Sequence, residues 1–119
     1  MYQVTVMHQT HPITGYHAHV YYDAATKPIA ERLREKLEAR FDAPVYGRWH
    51  DRPVGPHPRW SYQVAFDTAL HDEIVAFLDA NREGLTVLLH EQTGDDIRDH
   101  TDGASFLGTP VTLDIEKLR

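Results

Sequence analysis

The chain has 119 residues, of which 41% are hydrophobic and 25% are charged. Those values predict one globular domain with a single core, and they exclude a disordered or collagen-like chain. Its 12 basic and 18 acidic residues give a formal net charge of −6, so we expect no nucleic-acid partner. The longest apolar run, LTVLL, is far shorter than a membrane span, so no membrane partner is expected either.

The chain has nine histidines and no cysteine. The lack of cysteine excludes disulfides, thiolate metal ligands and cysteine nucleophiles, and it fits a cytoplasmic location. No basic segment followed by an apolar stretch opens the sequence, so no secretory signal is expected. Histidine is the commonest metal ligand and titrates near neutral pH, so the placement of the histidines is the main clue to function.

The first confident strand is YHAHVYY, Tyr16–Tyr22. We predict an N-terminal arm over residues 1–14 and a single domain over 15–119. Side chains alternate between the two faces of a strand, so Tyr16, Ala18, Val20 and Tyr22 suit the core. The opposite face then carries His17, His19 and Tyr21.

Two amphipathic helices are predicted. In the segment TKPIAERLREKLEAR, Thr26 is placed at the N-cap and Pro28 in the first turn, where its missing N–H does no harm. Apolar residues recur at every fourth position up to Phe41, where this helix is expected to end. The second helix is predicted over Ala69–Asn81.

Four further strands are predicted over Val45–Asp51, Trp60–Phe66, Leu85–Leu89 and Val111–Ile115. The polar segment EQTGDDIRDHTDG is predicted as a loop with at most one short turn. The order βαββαβ plus a final strand is typical of an α+β, ferredoxin-like fold with strand order 4-1-3-2. Two helices cover one face of such a sheet. The other face needs loops, a ligand or a second subunit, and we expect a homodimer.

The strongest local signal is His17-Ala-His19 on a strand. Residues i and i+2 point the same way with Cα atoms about 7 Å apart, so two imidazoles can converge on one ion at about 2.1 Å. The alternative is two polar residues on a solvated face. The spacing predicts a metal site without excluding that alternative.

Three further histidines are candidates for the same site. His57 lies between two prolines in GPHP, which stiffen the loop around it. His90 ends the fourth strand, and its alternation places it on the face of His17 and His19 if the strand order holds. His100 follows Asp99 in the polar segment. Each of the three could instead be a surface or interfacial histidine.

Two residues other than histidine are candidates for acid–base catalysis or electrostatic stabilisation. Tyr21 shares the face of the histidine pair, and Arg48 could bind a carboxylate or stabilise an oxyanion. No Gly-rich phosphate loop and no Ser-His-Asp spacing stands out in the sequence.

Together, the segments YHAHVYYD, GPHP, NREGLTVLLH and TGDDIRDHTDGASFLG resemble the DOPA 4,5-dioxygenase family, in family order from Gly15 to Asp114. The resemblance implies a ferredoxin-like fold, often dimeric. It also implies extradiol cleavage of a catechol such as DOPA by O₂ with a non-haem metal, usually Fe(II). The matching histidines are His17, His19, His57, His90 and His100.

From this resemblance we expect His19, His57 and His90 to ligate Fe(II), with His17 as a fourth ligand or a general acid–base. Zinc or another divalent metal is an alternative occupant of a purified form. The nearest carboxylate, Glu91, is expected to point to the opposite face. The candidates for catalytic roles are His17, Tyr21, Arg48 and His100. The alternative functions are a non-catalytic dimeric module that binds a metal or small aromatic ligand and, less favoured, a zinc hydrolase.

Overall fold

The computed structural model describes residues 12–119, so most of the predicted arm lies outside the described residues. The strands are β1 Gly15–Tyr22, β2 Val45–Tyr46, β3 Trp60–Phe66, β4 Val87–Gln92 and β5 Ala104–Leu107. The helices are α1 Lys27–Arg40, α2 His71–Asn81 and α3 Asp96–Asp99. Short 3₁₀ turns cover Thr68–Leu70 and Ile115–Leu118. Within residues 12–119, no helix is long and apolar enough to cross a membrane.

The five strands form one antiparallel sheet in the order β2-β3-β1-β4-β5. The first four strands therefore lie in the predicted order 4-1-3-2, and β5 adds to the free edge of β4. The α+β class is confirmed. β1 is the central strand, and its residue His17 pairs with Ala65 on β3 and with His90 on β4.

The core lies between the sheet and the two long helices. The β1 residues Ala18 and Val20 are fully buried there, and so are Leu33 and Leu37 of α1. Full burial of one leucine side chain stabilises the fold by about 2 kcal/mol. The predicted alternation of β1 is confirmed, because its even-numbered residues build this core and its odd-numbered residues face away from it.

Both helix starts differ in detail from the prediction. Thr26 is at the N-cap of α1, but its side chain makes no capping bond. Its backbone N–H and its hydroxyl instead donate to Asp23 Oδ1 at 2.8 and 3.0 Å. The segment before α2 is a 3₁₀ turn, so the α-helix begins at His71 rather than at Ala69.

The second strand is much shorter than predicted. Only Val45 and Tyr46 form a regular ladder with β3, followed by an isolated bridge between His50 and Ser61. The carbonyl of Gly47 accepts a hydrogen bond from Arg34 Nη1 on α1. This carbonyl is therefore directed to a helix side chain, and the chain continues as an irregular edge.

The predicted fifth strand is wrong. β5 is Ala104–Leu107, because α3 and the turn after it bring the chain straight back to β4, where Glu91 N–H donates to the Gly103 carbonyl. The segment 111–115 is not a strand, although its apolar residues are half-buried in alternation. It passes beside the GPHP loop, where Asp114 N–H donates to the Pro56 carbonyl at 2.8 Å. The alternation reflects packing and not strand pairing.

The sheet face opposite the helices, called the open face below, carries the odd-numbered residues of β1. The residues Tyr21 and Leu88 on this face are buried although no long helix covers them. Toward β2 the same face is uncovered, and Val45 is 69% exposed. One part of the open face is therefore buried, and the part near β2 is exposed to solvent.

Candidate functional site

Five histidines from separate parts of the chain converge on the open face. They form two groups with potential ligand atoms within 4.8 Å of one another, and His19 belongs to both. The first group is His17, His19 and His90, and the second is His19, His57 and His100. All five histidines matched by the family resemblance therefore lie together on this face.

The strand register assembles the first group. His17 and His19 are two residues apart on β1, and His17 lies directly opposite His90 on β4. The Nε2 atoms of His19 and His90 are 2.9 Å apart, and both side chains are buried. His90 faces the predicted side of the sheet. It lies within β4, because this strand continues to Gln92 and does not end at Leu89 as predicted.

The loop between β2 and β3 contributes His57. The flanking prolines fix the backbone φ on both sides, and Gly55 has a φ of 56°, a conformation that favours glycine. The His57 ring is buried, and its Nδ1 is hydrogen-bonded to Tyr21 Oη at 2.7 Å. Tyr21 thus contacts the site through His57.

The polar segment contributes His100 at the end of α3. Asp95 caps this short helix by accepting from the Arg98 N–H, and His100 Nδ1–H donates to the Asp96 carbonyl at 2.7 Å. Asp99 is fully buried, but it accepts from the backbone N–H and hydroxyl of Thr93 at 2.9 and 2.6 Å. Asp99 therefore anchors the turn and does not orient the neighbouring imidazole.

Hydrogen bonds at Nδ1 set which ring nitrogen is available. A carbonyl can only accept, so His90 Nδ1–H donates to the Glu91 carbonyl at 2.9 Å, as His100 donates to Asp96. Each of these rings then has an unprotonated Nε2. His57 has the same pattern when its Nδ1–H donates to Tyr21. Such bonds to the outer nitrogen are typical of metal-ligating histidines.

Burial keeps these imidazoles neutral. Desolvation, followed by the neighbouring histidines, lowers the pKa of His57 to about 4. Desolvation likewise lowers the pKa of His90 to about 4, against the opposing hydrogen bond to the Glu91 carbonyl. The pKa of His19 is well below its ordinary value for the same first cause, and that of His17 is also lowered. All four are neutral at pH 7, the form that ligates metals.

The histidines surround a cavity of about 220 Å³, the histidine cavity. For comparison, a cavity of about 150 Å³ holds a benzene ring. Its wall is completed by Gln63, Gln92, Asp96 and Leu118. The sequence analysis missed these four residues. Strand parity could have identified Gln63, which pairs with His19, and Gln92, which is two residues after His90.

Two other predicted candidates are placed elsewhere. Arg48 is exposed and belongs to neither histidine group. Glu91 forms an ion pair with Arg98, in agreement with its expected opposite orientation. Neither histidine group contains a carboxylate, in the part of the chain that the structure describes.

Two known proteins are similar to this chain in sequence. The chain is 28% identical over 114 residues to the DOPA 4,5-dioxygenase of Amanita muscaria, which covers 89% of this chain and 50% of the fungal protein. It is 27% identical over 116 residues to an uncharacterised 21.2 kDa protein of Botryotinia fuckeliana, covering 88% and 63%. The chain thus spans about half the length of the first relative and under two thirds of the second.

A solved structure shares the fold. The crystal structure of a proposed dioxygenase from Nostoc punctiforme PCC 73102 matches with a TM-score of 0.87 and 50% sequence identity, covering 90% of this chain and 92% of that one. Residues 16–117 match the Dopa 4,5-dioxygenase family. The resemblance seen in the sequence is confirmed, and the chain belongs to the Dopa 4,5-dioxygenase family.

Proposed function

We propose that this protein is a non-haem, metal-dependent extradiol dioxygenase that opens the ring of a catechol with O₂. The observation that carries the proposal is the convergence of five histidines, at least three of them buried, on one small cavity. In such a reaction both atoms of O₂ enter the ring-opened product, so no external reductant is needed. Family membership supports the oxygenase class.

The three fully buried histidines are the proposed metal ligands. They are His19, which belongs to both groups, His90 from the first group and His57 from the second. Their burial and the hydrogen bonds at Nδ1 of His57 and His90 hold the rings before an ion binds. The half-buried His17 and His100 are left free for proton transfer.

Fe(II) is the proposed native ion, because the family resemblance implies a non-haem metal that is usually Fe(II), and imidazole nitrogens suit it. The Nε2 atoms of His19 and His90 are 2.9 Å apart, close enough for both to bind one ion at about 2.1 Å. Zinc or another divalent metal could occupy a purified form.

His19, His57 and His90 would hold the metal, whose chemistry would be to bind the catechol and O₂ and to let electrons pass between them. The residues of the chain have separate tasks. His17 is neutral at pH 7, because burial lowers its pKa, so it can accept a proton from the catechol. His100 can do the same through Nε2, because its Nδ1–H is held by the Asp96 carbonyl. The amides of Gln63 and Gln92 line the same cavity and can donate to the substrate.

Oxygen uptake tests this function. The protein is loaded with Fe(II) without air and then given air and a catechol panel that includes L-DOPA, protocatechuate and caffeate. We expect equal consumption of O₂ and catechol, with a yellow product. His19→Ala removes this activity, whereas the control His71→Ala, outside both groups, retains it. Metal and catechol binding without O₂ uptake by any panel member would instead favour a non-catalytic binding module.

We also propose that this ferredoxin-like domain is a cytoplasmic homodimer. The uncovered part of the open face carries the exposed apolar residue Val45, and Ile13 is 38% exposed. Both are large apolar side chains at the surface. Light scattering coupled to size-exclusion chromatography tests this, with a mass of twice 13.7 kDa expected. A monomeric mass at all concentrations would contradict it.

A further inference from the structure

A second cavity adjoins the histidine cavity. It has a volume of about 250 Å³ and shares His17 and Gln92 with the histidine cavity. We call it the side cavity; its remaining wall includes Gly15, Val45, Ala65 and Asp67. Because His17 and Gln92 line both spaces, the side cavity borders the histidine cavity at these two residues.

Small residues on the open face create this space. Gly15 is two residues before His17 on β1 and therefore faces the same way. Ala65 pairs directly with His17 across the strands and also pairs with Val45. The row of imidazoles on β1 thus ends at Gly15, and on β3 the small side chain of Ala65 leaves space beside His17. The floor is apolar at Ala65 and Val45.

Each of the two cavities has an aspartate in its wall. Asp96 lines the histidine cavity and Asp67 lines the side cavity, and neither wall contains a lysine or arginine among the described residues. Arg98 is engaged with Glu91 and Asp99. Carboxylate recognition in proteins ordinarily uses an arginine or lysine. These walls therefore disfavour an anionic substituent and favour a cationic one.

We propose that the side cavity binds the ring substituent of the catechol and selects a short apolar arm that ends in an ammonium group over one that ends in a carboxylate. This inference rests on the proposed function for the catechol ring, but it concerns only the substituent. The catechol ring occupies the histidine cavity, the arm lies over Ala65, and the ammonium group approaches Asp67.

Binding without turnover gives the most direct test. The protein is loaded with zinc, which cannot reduce O₂, and titrated by calorimetry without air with three catechols whose arms are two or three atoms long. They are dopamine, 4-ethylcatechol and 3,4-dihydroxyphenylacetate, with cationic, neutral and anionic arms. We expect dopamine to bind about fivefold more tightly than 4-ethylcatechol, the size of an exposed ionic contact, and the acid to bind most weakly.

Two variants assign the effect to the side cavity. Asp67 makes no side-chain capping bond, so Asp67→Asn removes a charge without breaking the turn that follows. It should abolish the preference for dopamine over 4-ethylcatechol. Ala65→Leu should weaken all three ligands and leave unsubstituted catechol unaffected. Glu35→Gln, the same charge change on the exposed surface of α1, is the control and should change nothing.

Equal binding of the three arms, or a preference that Asp67→Asn leaves intact, would overturn the inference. The same compounds with iron-loaded protein separate this failure from failure of the proposed function. O₂ uptake with 4-ethylcatechol but no charge preference contradicts only the side-cavity assignment. No uptake with any of them contradicts the dioxygenase, whereas an Asp67-dependent preference on the zinc-loaded protein still supports the side cavity.

Discussion

The two faces of the sheet use the same strand in opposite ways. On the helix side, β1 contributes Ala18 and Val20 to a core closed by leucines of α1. On the open face, the same strand contributes His19 and Tyr21, which are almost as deeply buried. One face gains stability from apolar burial. The other carries neutral imidazoles whose charged forms are disfavoured by burial, so it supplies ligands at some expense of stability.

We therefore expect substitutions on the open face to affect function more than stability. Substitutions on the helix side should affect stability more than function. The two faces can be probed with single substitutions of buried residues on opposite sides of one sheet. The predicted effects below decrease in size from the first to the last.

The largest effect is expected for His19→Ala. This residue belongs to both histidine groups, so its loss should weaken metal binding by about a thousandfold, or about 4 kcal/mol. Competition with a chelator of known affinity measures this. His71→Ala, outside both groups, should bind metal normally. Near-normal metal affinity in His19→Ala would show that the ion binds elsewhere.

The next effect is on stability and compares the faces directly. Leu37 and Leu88 are both fully buried, but Leu37 is a core residue of α1 on the helix side, whereas Leu88 is on the open face. We expect Leu37→Ala to lower the free energy of unfolding by about 3 kcal/mol. Leu88→Ala should lower it by about 2 kcal/mol, because an irregular cover can collapse into the cavity that is left. Urea denaturation of the metal-free protein measures both, and a larger loss for Leu88→Ala would contradict the comparison.

Acid should destabilise the metal-free protein through the open face. The pKa values of His57 and His90 are about 4 in the fold and near the ordinary 6.5 when unfolded. Between these values the unfolded chain binds more protons, so stability is present above pH 6.5 and is lost as the pH falls toward 4. For each of the two histidines, we expect the free energy of unfolding to be about 2 kcal/mol lower at pH 5 than at pH 7.

A double variant locates the origin of this pH dependence. His57→Gln combined with His90→Gln should reduce the change in stability between pH 7 and pH 5, because two of the buried groups with lowered pKa values are gone. Urea denaturation at each pH measures it. An unchanged pH dependence in the double variant would assign the effect to groups other than His57 and His90.

The smallest effect is expected for Tyr21→Phe. Tyr21 is hydrogen-bonded to His57 Nδ1 and does not line the histidine cavity, so we assign it the role of positioning His57. Removing the hydroxyl should weaken metal binding by about tenfold. It should also change the spectrum of the cobalt-loaded protein, which a purely structural role would not do. Tyr62→Phe, a buried tyrosine on the helix side, is the matched control.

The spacing of apolar residues along the sequence predicted the helices and strands whose buried side is set by their own residues. The strand Trp60–Phe66 was predicted with its observed bounds, and α1 was predicted nearly so, because apolar periodicity directly reflects which side is buried. Parity also placed His17, His19 and His90 on one face. The contribution of His57 was inferred from its flanking prolines and from family resemblance rather than from any spacing.

The errors have long-range causes. The second strand ends early where the Gly47 carbonyl accepts from Arg34, a contact between separate elements that no local pattern reports. The alternation at 111–115 marks a half-buried segment, and alternation alone does not distinguish packing on a sheet from pairing within it. The hydrogen bond between Tyr21 and His57 could not be predicted either, because it depends on the path of the loop that contains His57.

The central claim is that the three buried histidines of the open face hold the metal and the two half-buried ones do not. A crystal structure of the iron-loaded protein, with anomalous diffraction recorded at the iron edge, tests it most directly. The account predicts one anomalous peak bonded to Nε2 of His19, His57 and His90, with His17 and His100 at the cavity wall but not bonded to it. A peak bonded to His17 or His100 in place of these residues, or no peak within the histidine cavity, would contradict it.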